Sequence, residues 1–111
     1  VYTIFHDPRQ KIAVYEIDGV ICAFAVLNHI TKTENPFMYE RDYLYIDEFC
    51  VDEVYRRKGI AIEMIRFIRE YAKKEGFKKL ELNMWEFNQD ALAFYESAGF
   101  STYRRYMEMN L

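Results

Sequence analysis

The stretch Asp42–Gly76 reads DYLYIDEFCVDEVYRRKGIAIEMIRFIREYAKKEG. It holds two hydrophobic periods joined by a basic turn. Asp42–Val51 alternates with period two, as a strand does, with Tyr43, Tyr45, Asp47 and Phe49 on one face and Leu44, Ile46, Glu48 and Cys50 on the other. Ile60–Glu75 changes to a helical period. Ala61, Met64, Ile65, Ile68 and Ala72 fall on one face, Glu63, Arg66, Arg69, Glu70 and Lys73 face outward, and Gly76 is a natural stop. Between them lies Tyr55–Ala61, YRRKGIA. A helix N-terminus carries partial positive charge and favours acidic neighbours. Arg56, Arg57 and Lys58 place three cations there instead. Either the turn is simply solvated, or it receives an anion on the unpaired N–H groups of the first helical turn, with Gly59 letting the backbone come close. The spacing fits neither a P-loop nor a three-glycine dinucleotide fingerprint.

Outward from this unit, Lys11–Ile17 reads as a strand, Asp18-Gly19 as a hairpin turn, and Val20–Ile30 as a partner strand buried on both faces. Thr31–Arg41, with Pro36, reads as a loop. On the C-terminal side, Lys79–Trp85 reads as a strand. Asn88 then caps a helix running to Ala98, with Asp90 in its first turn and Gly99 ending it, and Phe100–Met109 reads as a last strand. The order β-β-β-α-β-α-β predicts an α/β (α+β) fold: a central mixed sheet with helices on its faces, and a right-handed crossover from Asp42 to Trp85.

The 111 residues fit a single domain spanning 1–111. A 51% hydrophobic content with 18% aromatics supports a core. A net charge of −3 argues against a general nucleic-acid binder. No apolar run reaches membrane-span length and no signal sequence is visible, so a soluble, cytoplasmic protein is expected. Cys22 and Cys50 both lie in apolar runs and read as buried thiols, with a disulfide between them as the alternative. His6 and His29 are isolated, and no metal site is expected.

Two motifs together carry a family resemblance. VDEVYRRKGIA (Val51–Ala61) resembles the acyl-coenzyme A motif of the GCN5-related N-acetyltransferases, Arg/Gln-x-x-Gly-x-Gly/Ala, present as Arg56-x-x-Gly59-x-Ala61. LELNMWEFNQDALAFYESAGF (Leu80–Phe100) is similar to the family's second motif through Asn88, Ala91, Phe94-Tyr95 and Gly99-Phe100. The resemblance runs from about Lys11 to the C-terminus. Family members usually open with a strand and two helices that wall the acceptor site. Here ten residues precede Lys11, so that wall is expected to be reduced, to lie outside this chain, or to come from a partner subunit.

The resemblance implies acetyl-CoA as co-substrate, lying between the Asp42–Val51 and Lys79–Trp85 strands. Its pyrophosphate would rest on the N–H groups of Arg57, Lys58, Gly59, Ile60 and Ala61, aided by Arg56. Its pantetheine arm would pair with the backbone of Phe49, Cys50 and Val51. The implied reaction is direct acetyl transfer to the primary amine of a small molecule, polyamine-like in one reading, or to an amino terminus; the alternative is a non-catalytic acyl-CoA-binding or regulatory module. Asp47 and Glu48 are the candidate bases, expected on opposite faces, so that one of them serves. Tyr95 matches the family's proton donor to the leaving thiolate. Asn88 matches a contact to the pantetheine arm as well as a helix cap. Neither nucleic acid nor membrane is implied as a partner. The apolar character of Tyr103, Tyr106, Met107 and Met109 suggests a homodimer.

Overall fold

The computed structural model describes residues 1–32 and 41–111; the expected loop lies largely in 33–40, outside the described residues, as does Pro36. Five strands form one sheet in the order β1-β2-β3-β4-β5: Tyr2–His6, Lys11–Ile17, Val20–Lys32, Arg41–Val51 and Leu80–Leu82. A short 3-10 turn, Glu53–Tyr55, precedes helix α1, Ile60–Lys74; helix α2 spans Gln89–Ser97. β1 to β4 are antiparallel neighbours, and β4 and β5 are parallel, as the α1 crossover requires.

The register assigns the two faces. Ile4 pairs with Ala13 and Ala13 with Ala25, and Leu27 pairs with Ile46. These residues form one side and pack against Ile60, Met64, Ile65, Ile68 and Ala72 of α1. The buried stripe of α1 therefore begins at Ile60, and Ala61 is only half-buried. On the other side run Val14, Phe24 and Cys50, then Ile12, Val26 and Glu48. Phe24, Val26 and Ile12 remain partly exposed, so β3 is not buried on both faces; its first residues Val20 and Ile21 are half exposed.

Three expectations are corrected. Tyr2–His6 forms a strand ahead of the hairpin, held to the core by Tyr2, whose ring lies 4.5 Å from that of Tyr15 and 4.9 Å from that of Phe67. Its sequence does not alternate cleanly, which hid it. Lys79–Trp85 contracts to the three residues Leu80–Leu82. Phe100–Met109 is not a strand: residues 100–111 carry no regular structure, although Tyr103 reaches β5 through a hydrogen bond from its hydroxyl to Glu81. The thiols also differ. Cys22 is buried and free, whereas Cys50 is exposed and free, since it points away from the helices.

Ile68 is fully buried against the sheet. Its truncation in Ile68→Ala is expected to cost about 2–5 kcal/mol in urea unfolding, from lost transfer energy and the cavity left behind. Arg66, on the exposed side, makes a 2.8 Å ion pair with Glu63, and Arg66→Ala is expected to cost about 0.5 kcal/mol or less. Equal losses for the two variants would contradict this placement of the core.

Candidate coenzyme and acceptor site

β4 and β5 pair over three rungs only, Leu44–Leu80, Tyr45–Glu81 and Ile46–Leu82. Immediately beyond, the β3–β4 register shifts: Leu27 pairs with Ile46 but Val26 with Glu48, leaving Asp47 as the extra residue of a β-bulge. Bulges bend and twist a strand. Past this one, Glu48–Val51 pairs with β3 on one side and, among the described residues, with no strand on the other, and a cleft opens between Val51 at the end of β4 and Phe94 of α2.

The bulge changes the phase of the side chains. Phe49 and Val51 now pack with the helix-side core, and the Phe49 ring lies 6.4 Å from that of Phe94 on α2. Glu48 shares the opposite side with Val26, and Tyr45 shares it with Asn28. Asp47 acts electrostatically on Tyr45. The expectation that Asp47 and Glu48 point to opposite faces is therefore wrong. Both exposed carboxylates fall on the side away from the helices, because the extra residue cancels one step of alternation. Tyr45 is fixed there by Asn83, whose Nδ2 donates to its hydroxyl at 2.9 Å. Burial is the main influence raising the Tyr45 pKa.

The cleft leads to the basic turn. Arg57 has φ 64° and Gly59 φ 79°, two left-handed residues that swing the chain into α1. Gly59 occupies the N-cap with no side-chain cap, and the first helical bond runs from Glu63 N–H to the Gly59 carbonyl at 3.2 Å. The N–H groups of Ile60, Ala61 and Ile62 thus precede the first intrahelical bond, aimed outward with the positive end of the dipole. A cavity of about 300 Å³ adjoins them, lined by Val51, Tyr55, Arg56, Arg57, Gly59, Ala61, Ile62 and Phe94. A phosphate-bearing ligand with an apolar arm fits this combination of free N–H groups, cations and apolar wall.

The basic residues divide. Arg56 is tied down, its Nε donating to the Val51 carbonyl at 3.1 Å, so it braces the turn against the end of β4. Lys58 lies with Nζ 5.6 Å above the Tyr55 ring, and neither it nor Ile60, which is buried, lines the cavity. Arg57 does line it.

Asn88 caps α2, its side-chain oxygen accepting from Ala91 N–H at 3.1 Å. Tyr95 is half-buried, with Phe94 at 5.2 Å and Phe100 at 5.7 Å between ring centroids; burial raises its pKa above the ordinary 10.0. It is not among the residues lining the cavity; its neighbour Phe94 is. Tyr55, Ile62 and Phe94 line the cavity without having been singled out from the sequence. Proximity to the turn was the available signal for Tyr55 and Ile62, and the Phe-Tyr pair for Phe94. Among the described residues no group of three or more His, Cys, Asp or Glu could hold a metal ion, and no helix is long and apolar enough to cross a membrane.

Comparison with known proteins bears on the identity of this cleft. The family model described as Acetyltransferase (GNAT) family matches residues 1–100. The chain is 38% identical over 89 residues to an uncharacterized N-acetyltransferase of Methanocaldococcus jannaschii, covering 78% of this chain and 37% of that protein. It is 27% identical over 101 residues to the L-ornithine N5-acetyltransferase of Arabidopsis thaliana, covering 90% of this chain and 43% of that protein. Among solved structures, one of a mutant Bacillus halodurans protein superposes with a TM-score of 0.85 at 31% identity, over 93% of this chain and 66% of that one. The chain spans less than half the length of these two relatives. The chain belongs to the acetyltransferase (GNAT) family.

Proposed function

We propose that this chain is an N-acetyltransferase that moves the acetyl group of acetyl-CoA directly onto the primary amine of a small molecule. The observation that carries the proposal is the junction of two features. An uncapped, glycine-led helix N-terminus adjoins an apolar cavity, and a bulged strand leaves its edge open beside it. The pyrophosphate is assigned to the N–H groups around Gly59, with Arg57 adding charge and Arg56 holding the turn. The apolar arm is assigned to the wall of Val51, Ile62 and Phe94. The strand edge at Phe49 and Cys50 supplies main-chain partners, including an N–H for the oxyanion of the tetrahedral intermediate. Asn88, already engaged as a cap, has its amide nitrogen left to offer the arm.

The reaction needs an unprotonated amine. An alkyl amine of pKa about 10.4 is neutral in only roughly one molecule in a few thousand at pH 7. Asp47 and Glu48 together attract the cation, and one takes a proton from it, so that the neutral nitrogen attacks the thioester carbon. The carbon–sulfur bond then breaks, the thiolate takes a proton from Tyr95, whose half-buried phenol stays protonated through neutral pH, and the second proton shed by the nitrogen restores Tyr95 by way of solvent. The exposed carboxylates of Asp47 and Glu48 fit a cationic acceptor, polyamine-like or resembling the ornithine side chain named for the Arabidopsis relative. An amino terminus is the other acceptor class. The alternative reading, a module that binds acyl-CoA without turnover, is favoured by one observation: Tyr95 does not line the cavity.

Incubation with acetyl-CoA and a panel of diamines, ornithine and short peptides, followed by detection of free thiol, tests the proposal. Amine-dependent thiol release is expected, and coenzyme binding with no release from any amine would favour the binding module. Either Asp47→Asn or Glu48→Gln is expected to lower kcat/KM by about 100-fold or more, as loss of a general base does. Activity unchanged in both single variants and in the double variant would remove the carboxylate base.

Gly59→Ala meets no steric obstacle, since a Cβ there has nothing within 4 Å, but it holds a side chain at φ +79°. It is expected to destabilise by about 1–2 kcal/mol through the left-handed backbone alone and to weaken coenzyme affinity measured by calorimetry. Affinity equal to wild type would detach the turn from coenzyme binding. For Tyr95 the sign is fixed by burial. Its folded pKa is raised, so its contribution to stability is intact below pH 10 and is lost as pH rises through the higher folded value. A basic limb in the rate profile that disappears in Tyr95→Phe should therefore lie above pH 10, and one near pH 8 that vanished with this substitution would contradict the assignment.

A further inference from the structure

A second cavity, of about 330 Å³, lies where the end of α1, the start of β5 and the end of α2 meet. Ligand pockets run from about 300 to 1,000 Å³, so this one suits a small molecule rather than a peptide. It shares no lining residue with the cavity at the Gly59 turn. Ile62 lines the first and Ile65 the second, so the two follow one another along α1, roughly one helical turn apart.

The floor of this second cavity is apolar. Ile65 and Ala72 are buried core residues of α1, and Phe77, Leu80, Ala98 and Phe100 pack partly buried against that core. The rim is basic. Arg69 and Lys73 come from adjacent turns of α1, Lys78 and Lys79 come from the segment entering β5, and all four are exposed. No acidic residue lines the cavity among the described residues. The chain has 18 acidic residues against 15 basic ones, so four bases with no acid run against its overall balance.

Other cations on this surface have partners. Arg66 pairs with Glu63, Lys58 lies over the Tyr55 ring and Lys11 over that of Tyr71. Among the described residues none of the four rim side chains has a hydrogen-bond, ion-pair or ring partner. The helix dipole accounts for Lys73, which lies in the last turn of α1. It does not account for Arg69, a turn earlier, or for Lys78 and Lys79, beyond the helix. Long basic stems also cover apolar surface while their heads stay in water, but that needs no exclusion of acids. Gathered like charges repel one another, and a bound anion relieves that repulsion.

We propose that this cavity binds a small amphipathic anion, with an apolar body on the floor between Ile65 and Phe100 and a carboxylate or phosphate head among Arg69, Lys73, Lys78 and Lys79. Burial of the body supplies affinity, and the planar fork of Arg69 orients the head. The site is independent of the proposed acetyl transfer: either can fail without the other.

Calorimetry on the full chain at about 0.15 M salt, where exposed charges are screened beyond about 8 Å, tests this. The probes are naphthoate, naphthyl phosphate, the neutral naphthalenemethanol and inorganic phosphate, each titrated with and without excess coenzyme A. At least one of the two naphthyl anions is expected to bind with Kd below about 1 mM, and at least tenfold tighter than the neutral analogue or inorganic phosphate. The tighter of the two identifies the head group. Coenzyme A should leave that binding in place. The double variant R69E/K78E is expected to lower it at least tenfold with unchanged circular dichroism, and K74E, a neighbouring cation outside the lining, to leave it unchanged. Failure of both anions to bind would overturn the proposal, as would equal binding of the neutral analogue or of inorganic phosphate. Displacement by coenzyme A would move the anion to the Gly59 turn and also overturn it. So would full affinity in a folded R69E/K78E variant, or a loss in K74E as large as in the double variant.

Discussion

The β-bulge at Asp47 is the constraint on which the rest of the arrangement depends. One extra residue in β4 ends the regular ladder with β5 after three rungs and frees the edge of Glu48–Val51. It also sets which side chains face where. Phe49 and Val51 turn inward toward α1 and α2, while Asp47 and Glu48 stay exposed, Asp47 acting electrostatically on Tyr45. A regular β4 would either continue pairing with β5 or bury one carboxylate against the helices. An uncompensated carboxylate in that core would cost several kcal/mol. The bulge therefore opens the cleft and keeps both acids in water by the same displacement.

The second constraint is the missing cap on α1. A helix start normally gains stability from a side-chain acceptor. This one forgoes it, placing Gly59 at the cap in a left-handed conformation two residues after a left-handed Arg57. The local cost is borne by the α1–sheet interface, where Met64, Ile65 and Ile68 are almost completely removed from solvent. That division fits a site whose strained turn rests on a well-packed element. Tying Arg56 to the end of β4 links turn and bulged strand into one unit, so the two halves of the cleft keep their spacing.

Much of this was legible in the sequence, and the exceptions have physical causes. The α1 stripe was readable because helical period and burial coincide from Met64 to Ala72, and Asn88 read correctly as a cap because Asn followed by Gln-Asp is a local signal. The bulge was not readable. Tyr45-Ile46-Asp47-Glu48-Phe49 alternates smoothly as letters, and only pairing with Val26 and Leu27 of β3 reveals the extra residue. The facing of Asp47, Glu48, Phe49 and Cys50 was misjudged for that reason. The tail shows the converse case. Its alternation is that of a strand, but a strand exists only through main-chain pairing, and among the described residues the tail makes none with β5. For Tyr95, a motif match indicated identity but not direction, and its ring lies between Phe94 and Phe100.

In the proposed function, main-chain N–H groups at the bulged strand and at the Gly59 turn form one binding surface for acetyl-CoA. Amide-resolved NMR during titration with coenzyme A tests this most directly. The largest shifts are expected to fall together on Phe49–Val51 and on Arg57–Ile62, saturating with one affinity. Shifts confined to other strands, or no shift at the amides of Gly59, Ile60 and Ala61, would contradict it.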